Sequence, residues 1–252
     1  LFSRAKANVT VFCNRNNGKL INQNCGATNT SFLLEKMKQG DYSLGFALDG
    51  DADRLAVVEN NVVVPNSKVF FAMARYLSEK GRLRNNTVCG TVLTNGGVES
   101  ALNGLGIRLL RSDVGDTNVF NTMVKEGLNF GGEQSGHYLL CDYATSSDAL
   151  INALFLCKIY REKGSLLQYA SPCVEITSVS KNIPLTESNI ALCDGDRLQN
   201  TAGRVSQLYP GCRLVLRKSG TENVVRAYAE GAQAQKAVDC VAATFSQNVN
   251  RL

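Results

Sequence analysis

Short apolar runs punctuate this chain, and their spacing predicts its elements. Valine- and leucine-rich runs over 9–13, 44–48, 55–58 and 62–64 each predict a strand. Between the first two, a polar turn-rich stretch over 14–29 leads into a helical stripe, Leu33, Leu34 and Met37, within a helix over 31–39. Strand, helix, strand in that order is βαβ grammar and predicts a parallel sheet. Asn60 and Asn61 separate two valine-rich runs, the signature of a hairpin that closes near Pro65.

A second series follows: helix 68–80, strand 87–93, helix 97–105, strand 108–110, helix 118–126 and a long helix over 147–163. Ser146 or Ser147 is the expected cap of that last helix, with Asp148 in the first turn, where the dipole favours a carboxylate. Beyond Pro172 the texture turns β-rich, with strands over 174–179, 213–216 and 224–230 and a closing helix over 234–247. The reading is an α/β protein: successive mixed-sheet α/β domains followed by an α+β C-terminal domain. Its expected divisions are 1–63, incomplete, then 64–170 and 171–252.

Composition narrows the function classes. At 252 residues and 44% hydrophobic content the chain can bury a real core, so disorder is excluded as the main state. A net charge of +5 without any Lys/Arg run offers no nucleic-acid tail and no polybasic membrane patch, only a mild preference for small anions. Nine cysteines, an odd count without metal-type spacing, read as reduced thiols of a cytosolic protein. No signal peptide stands at the start, and no run reaches the roughly 20 apolar residues that span a bilayer. The chain begins at Leu1 without a methionine and enters an apolar run at once, so it reads as a piece of something longer.

Three constellations carry chemistry. Asp49, Asp51 and Asp53 alternate with Gly50 and Ala52 directly behind an apolar strand, so their side chains would share a face. Converging carboxylates repel unless a cation sits among them, and hard oxygen ligands suit Mg²⁺; the bland alternative is a solvated acidic turn. Arg54 would then lie beside the cation as a charge-stabilising clamp. In Gly131–Tyr138 the glycines bracket Glu133, Ser135 and His137, again spaced by two, offering a carboxylate and a hydroxyl to a polyol with an imidazole beside them. His137 is the single histidine of the chain and can serve as general acid or base, or be purely structural. In the third, Arg217, Ser219 and Thr221 converge around Gly220, whose neighbouring amides can nest an anion; the alternative is a basic surface turn. Arg226 is a weaker additional contact.

Taken together these loops resemble the α-D-phosphohexomutase family, whose members carry a metal loop, a sugar loop and a phosphate loop on successive domains. The likeness extends through Asn17-Gly18-Lys19-Leu20-Ile21-Asn22, Cys25-Gly26-Ala27-Thr28, Val114-Gly115-Asp116 and 142–148. The Gly-Glu-Gln-Ser-Gly-His form at 132–137 and Arg-Lys-Ser-Gly-Thr-Glu at 217–222 resemble the branch that works on phosphoglucosamine rather than those that work on phosphomannose or phosphoglucose. The resemblance implies phosphate transfer between O6 and O1 of glucosamine through a phosphoserine enzyme and a bisphosphate intermediate. It implies Mg²⁺ on Asp49, Asp51 and Asp53, and assistance to phosphoryl and proton transfer from Arg54 and His137. Sugar hydroxyls would fall to Glu133 and Ser135, and the non-transferring phosphate to Arg217, Ser219, Gly220 and Thr221. The partners are then hexose phosphates and bisphosphates, not nucleic acid or membrane.

Three departures qualify that. No serine here has the family's Thr-Ala-Ser-His-Asn-Pro context, so the chain alone is expected not to turn over substrate, and the strand at 9–13 is expected to leave an exposed edge. Thr117 stands where the branch has arginine, which would weaken substrate binding; Asn223 stands where it has proline, which is expected to loosen the loop. Two other readings compete: a sugar-phosphate-binding protein without catalysis, and a phosphatase using Asp49-Gly50-Asp51, which leaves the other loops unexplained.

Overall fold

Helix α1 (Ser31–Lys38) lies on strand β1 (Leu44–Leu48), and Gly45 makes the approach feasible: a Cβ there would sit 2.8 Å from the Met37 sulfur. β1 pairs antiparallel with β2 (Leu55–Glu59), from Leu44↔Glu59 to Leu48↔Leu55, and β2 pairs antiparallel with β3 (Val62–Val64). The computed structural model describes residues 1–14 and 17–246. The parallel sheet expected here does not form. That expectation paired 44–48 with 9–13; β1 pairs instead with β2, antiparallel across the connection 49–54, which is far shorter than the dozen or so residues a parallel crossover needs. Nor does 9–13 form a strand, and Val9 and Val11 are exposed. An apolar run becomes a strand only where a neighbour takes its amides and carbonyls. Instead Phe12 turns onto the rings of Phe32 and Tyr42, at 6.1 and 6.3 Å between centroids, and Cys13 adopts φ +55°, which breaks the extended path. The Asn60-Asn61 hairpin forms as expected, with φ of 50° and 62° as a type I′ turn requires.

The chain divides into two compact units, Leu1–Val174 and Glu175–Leu252. In the first, helix α2 (Asn66–Glu79) leads to β4 (Thr87–Thr91), α3 (Gly96–Asn103), β5 (Arg108–Ser112), α4 (Asp116–Glu126), β6 (Phe130–Gly132), β7 (Tyr138–Leu140), α5 (Ala149–Lys163) and the single turn α6 (Leu166–Tyr169). The sheet order is β5-β4-β6-β7, with β4 parallel to β5 and β6, and β7 antiparallel to β6. Leu55, Val57 and Val64 of the first sheet share one buried cluster with Phe71 and Tyr76 of α2, Phe130 of β6 and Leu156 of α5. A side chain of that size deep in such a core contributes about 3–5 kcal/mol against truncation to alanine.

Asp148, not a serine, caps α5: its Oδ1 accepts from the amides of Leu150 (2.9 Å) and Ile151 (3.0 Å). Ser147 is engaged elsewhere, its hydroxyl donating to the Asp53 carbonyl and accepting from the Tyr138 amide. The strands β6 and β7, three residues each, arise where a loop was expected.

The second unit holds β8 (Ser178–Pro184), α7 (Arg197–Leu208), β9 (Arg213–Lys218), β10 (Val224–Glu230) and α8 (Ala234–Ser246), with β10 between β8 and β9 in an antiparallel sheet. Ile183, Val205, Leu216, Val225, Val238 and Val241 fill its core. The strand expected over 174–179 begins at Ser178 and runs on to Pro184, because that span lies opposite all of β10. The helix α7 was not anticipated; its buried residues are Leu198, Thr201, Ala202 and Val205, an apolar stripe thin for a helix. Residue 247, the expected end of the closing helix, lies outside the described residues. Among the described residues no helix is long and apolar enough to cross a membrane.

Candidate functional site

The tight reversal between β1 and β2 shapes the aspartate loop. The Ala52 amide donates to the Asp49 carbonyl (3.2 Å) and Ala52 takes φ +58°, a left-handed turn where an extended run was expected. The turn still gathers the carboxylates: one oxygen each of Asp49, Asp51 and Asp53 lies within 4.8 Å of the others. The start of α5 pins the loop from behind, through the Ala149 amide on the Ala52 carbonyl (2.9 Å) and the Ser147 hydroxyl on the Asp53 carbonyl.

Within the loop the carboxylates are not equivalent. Asp49 is buried and takes both the backbone amide of Arg54 (3.1 Å) and its Nε. Burial pushes the Asp49 carboxyl up, but the hydrogen bonds from Arg54 outweigh it and hold the group below its ordinary range. The same contact raises the Arg54 guanidinium, so the pair is charged on both sides. Asp51 is exposed. Asp53 gives Oδ2 to His137 Nε2 at 2.6 Å, while its Oδ1 is buried without a hydrogen-bond partner and 3.7 Å from Arg54 Nε. A buried carboxylate oxygen left unbonded is costly. An orphaned oxygen within a group of three carboxylates that approach to within 4.8 Å is what a hard divalent cation would satisfy, so these residues fit Mg²⁺.

The second loop is the turn between β6 and β7. The Glu133 amide donates to the His137 carbonyl (2.9 Å) and the Gly136 amide to the Glu133 carbonyl (3.2 Å), so Glu133, Ser135 and His137 converge on a turn, not an extended strand. Gly136 is required twice over. Its φ is +94°, and a Cβ would sit 2.6 Å from the Leu55 carbonyl oxygen, because the Leu55 amide bonds the Gly136 carbonyl at 3.1 Å. With the bridge between Arg54 and His137, this sews the two loops edge to edge.

Side chains then link up across the seam. Ser135 Oγ lies 3.0 Å from His137 Nδ1 and 3.4 Å from Glu133 Oε2, and His137 Nε2 reaches Asp53. Glu133 Oε1 accepts from the Gly115 amide (2.8 Å) at the start of α4, which holds the carboxylate in place. Thr117, in the first turn of the same helix, has its hydroxyl 3.4 Å from Asp116 Oδ1. Sequence reasoning missed three supports of this arrangement: Ser147, the Gly115 amide and Asn66, whose Nδ2 donates to the Gln134 carbonyl (2.8 Å). Spacing carries no signal for such contacts, which join residues up to 94 positions apart.

The remaining candidates form a separate group in the second unit, on the turn from β9 to β10. Ser219 is buried there, and its Oγ accepts from the amides of Thr221 (3.5 Å) and Glu222 (3.3 Å), so these amides turn inward. Gly220 has open space around it. Arg217 and Arg226 are direct cross-strand partners. Arg226 donates from Nη2 to Glu222 (2.6 Å), while its Nε is buried without a hydrogen-bond partner. Like charges opposite one another destabilise a sheet unless an anion lies between them. Asn223, expected to loosen the loop, makes two bonds to Leu185: its side chain donates to the Leu185 carbonyl (3.0 Å), and its own carbonyl accepts the Leu185 amide (2.9 Å).

Two sequence models of one family match: "Phosphoglucomutase/phosphomannomutase, alpha/beta/alpha domain III" over residues 65–175 and the "C-terminal domain" over 181–247. The chain belongs to the phosphoglucomutase/phosphomannomutase family. Among its family relatives, the phosphoglucosamine mutase of Thermotoga neapolitana is 42% identical over 233 residues, 92% of this chain and 53% of the relative. That of Nautilia profundicola is 38% identical over 242 residues, 94% of this chain and 54% of the relative. This chain thus spans about half the length of the curated relatives it matches. Among solved family structures, the Aspergillus fumigatus N-acetylphosphoglucosamine mutase in complex with GlcNAc-6P and magnesium aligns with a TM-score of 0.70 at 21% identity, over 91% of this chain and 57% of that one. A Burkholderia thailandensis phosphoglucomutase/phosphomannomutase family protein aligns with 0.71 at 19%, over 89% and 51%. At such identities these likenesses speak for the fold.

Proposed function

We propose that this chain is the metal-, sugar- and phosphate-binding part of a phosphoglucosamine mutase, which interconverts glucosamine 6-phosphate and glucosamine 1-phosphate through a phosphoserine enzyme and a bisphosphate intermediate. The observation that carries the reading is the seam at Asp53 and His137, which joins three converging carboxylates to a glycine-framed group of sugar-type ligands. The 35–42% identity to phosphoglucosamine mutases supports it.

Asp49, Asp51 and Asp53 would hold Mg²⁺, which neutralises charge on the phosphoryl group in transit. Arg54 places a second positive charge at the same spot, held in orientation by Asp49. His137 moves the proton of the reacting hydroxyl, its ring fixed by Asp53 on one nitrogen and Ser135 on the other. Glu133, anchored by the Gly115 amide through Oε1, keeps Oε2 for a sugar hydroxyl, and Ser135 offers its hydroxyl beside it. Arg217, Ser219, Gly220, Thr221 and Arg226 take the phosphate that does not transfer. The inward amides of Thr221 and Glu222 make only long bonds to Ser219, which a phosphate oxygen can replace. Phosphoryl transfer asks chiefly for positioning and charge neutralisation, and these groups supply both. The division 1–63, 64–170 and 171–252 assigns one ligand type to each part. With no serine in the family's motif context, this chain alone does not turn over.

Calorimetric titration with glucosamine 6-phosphate, glucose 6-phosphate and mannose 6-phosphate in the presence of Mg²⁺ tests the reading. Tightest binding of the glucosamine ester supports it. Equal binding of all three overturns the assignment to phosphoglucosamine, and no binding by a folded chain overturns the site.

A further inference from the structure

We infer that a small cavity beside the Glu133 loop is a specificity pocket: it takes the amino substituent of the hexose as a primary ammonium, with Ser67 as the discriminating residue. The inference rests on the proposed function and says where the amino group of that sugar goes. The cavity is lined by Thr94, in the loop behind β4, and by Glu133 and Gln134, directly behind β6. From β4 the chain passes through α3 to β5 on one side, then crosses back by way of α4 to β6 on the other. In open α/β sheets, ligands bind beyond the carboxyl ends of the strands at such a reversal. Helix α2 closes the cavity with Asn66, Ser67 and Phe70, and Val98 of α3 joins Phe70 in its apolar part.

A second observation points to a polar occupant. Ser67 is 3% exposed, and its hydroxyl oxygen is buried without a hydrogen-bond partner. A buried hydroxyl left unbonded is unfavourable, so its presence in a cavity wall calls for a group that bonds it. The neighbouring side chains offer acceptors. Asn66 spends its Nδ2 on the Gln134 carbonyl (2.8 Å), which leaves its Oδ1. Glu133 gives Oε1 to the Gly115 amide (2.8 Å), which leaves the second oxygen of a carboxylate.

Size and charge then select among hexose substituents. The cavity measures about 10 Å³, room for one group the size of a water molecule. A hydroxyl and an ammonium both meet that limit, whereas an acetamido group, with its carbonyl and methyl, exceeds it. Between the two that fit, a hydroxyl brings a single donor and no charge, while an ammonium brings several donors and a positive charge. Against Ser67, Asn66 and the Glu133 carboxylate, the ammonium makes the stronger, charge-assisted bonds. A site whose buried polar groups are paired by one substituent rejects the analogue that leaves them unpaired.

The test titrates the chain, in Mg²⁺, with the 6-phosphates of glucosamine, glucose and N-acetylglucosamine by calorimetry. The wild type is expected to bind the amine roughly tenfold tighter than the hydroxyl, and the acetamido ester weakest of the three. Ser67→Ala removes the discriminating hydroxyl and cuts that preference to roughly twofold, while the affinity of the sugar-free chain for Mg²⁺ stays the same. Val98→Ala widens the cavity from its apolar part and raises binding of the acetamido ester by roughly tenfold. Urea unfolding checks that each variant is folded, and because the two act on different walls, either one keeps the test decisive. A wild type without preference for the amine overturns the proposed function, and the pocket with it. A wild type that prefers the amine while folded Ser67→Ala keeps the whole preference overturns the pocket and leaves the function standing. Continued exclusion of the acetamido ester by folded Val98→Ala does the same.

Discussion

The two groups of candidate ligands are built in opposite ways. Around Asp53 and His137 the backbone itself is locked: amide–carbonyl bonds join Leu55 to Gly136 and Ala149 to Ala52, and Ser147 ties Asp53 to Tyr138. Around Gly220 the turn is closed at its base by the Ser219 amide on the Val224 carbonyl (2.9 Å) and by Asn223 on Leu185, while at its tip the amides of Thr221 and Glu222 make long bonds to Ser219 Oγ. The first region is set before any ligand arrives, which suits chemistry that needs reacting groups held in place. The second has slack at its tip, which suits the phosphate-holding role proposed for it.

Glycine substitution breaks the comparison most sharply. Gly136→Ala forces a Cβ into the Leu55 carbonyl at a φ of +94° and is expected to destabilise the chain by about 2 kcal/mol or more. Gly220→Ala meets nothing within 4 Å, and its expected cost is within about 0.5 kcal/mol. Urea unfolding of the two variants measures both, and equal losses would erase the distinction. Ser147→Ala comes next. It removes a hydroxyl that bridges Asp53 and Tyr138 and should cost about 1–2 kcal/mol, with weakened Mg²⁺ binding as its second sign. Asp148→Ala removes the α5 cap and should cost about 1 kcal/mol by the same unfolding assay, leaving metal affinity nearly unchanged. The smallest effect belongs to Ser219→Ala, which loses two long hydrogen bonds: about 0.5 kcal/mol of stability, with its larger consequence in sugar-phosphate affinity.

What was readable in advance follows the range of the interactions involved. Asn60 and Asn61 specify their hairpin by local backbone preference, and the structure has it. The run 9–13 looks like a strand locally, but a strand depends on a partner elsewhere, and Phe12 found aromatic neighbours instead. The helix α7 escaped notice because Leu198, Ala202 and Val205 are its whole stripe, set among polar residues. β6 and β7 are too short to register as runs. At the candidate site the residue types were legible from their spacing, yet for a reason the structure revises: turns at Ala52 and Gly136, not extended backbone, bring the side chains together. That Asp53 meets His137, 84 positions away, is a tertiary fact no spacing contains.

The central claim is that these loops form one site, in which the aspartates and the sugar-type ligands act together. Calorimetry of glucosamine 6-phosphate binding, with Mg²⁺ and then with EDTA, tests it directly, because two ligands sharing a site must change each other's affinity reciprocally. The account predicts that Mg²⁺ tightens sugar-phosphate binding by roughly tenfold, about 1.4 kcal/mol of coupling, and that Asp51→Asn removes the difference. Identical affinity with and without the metal, in a chain shown to be folded and to bind Mg²⁺, would contradict it.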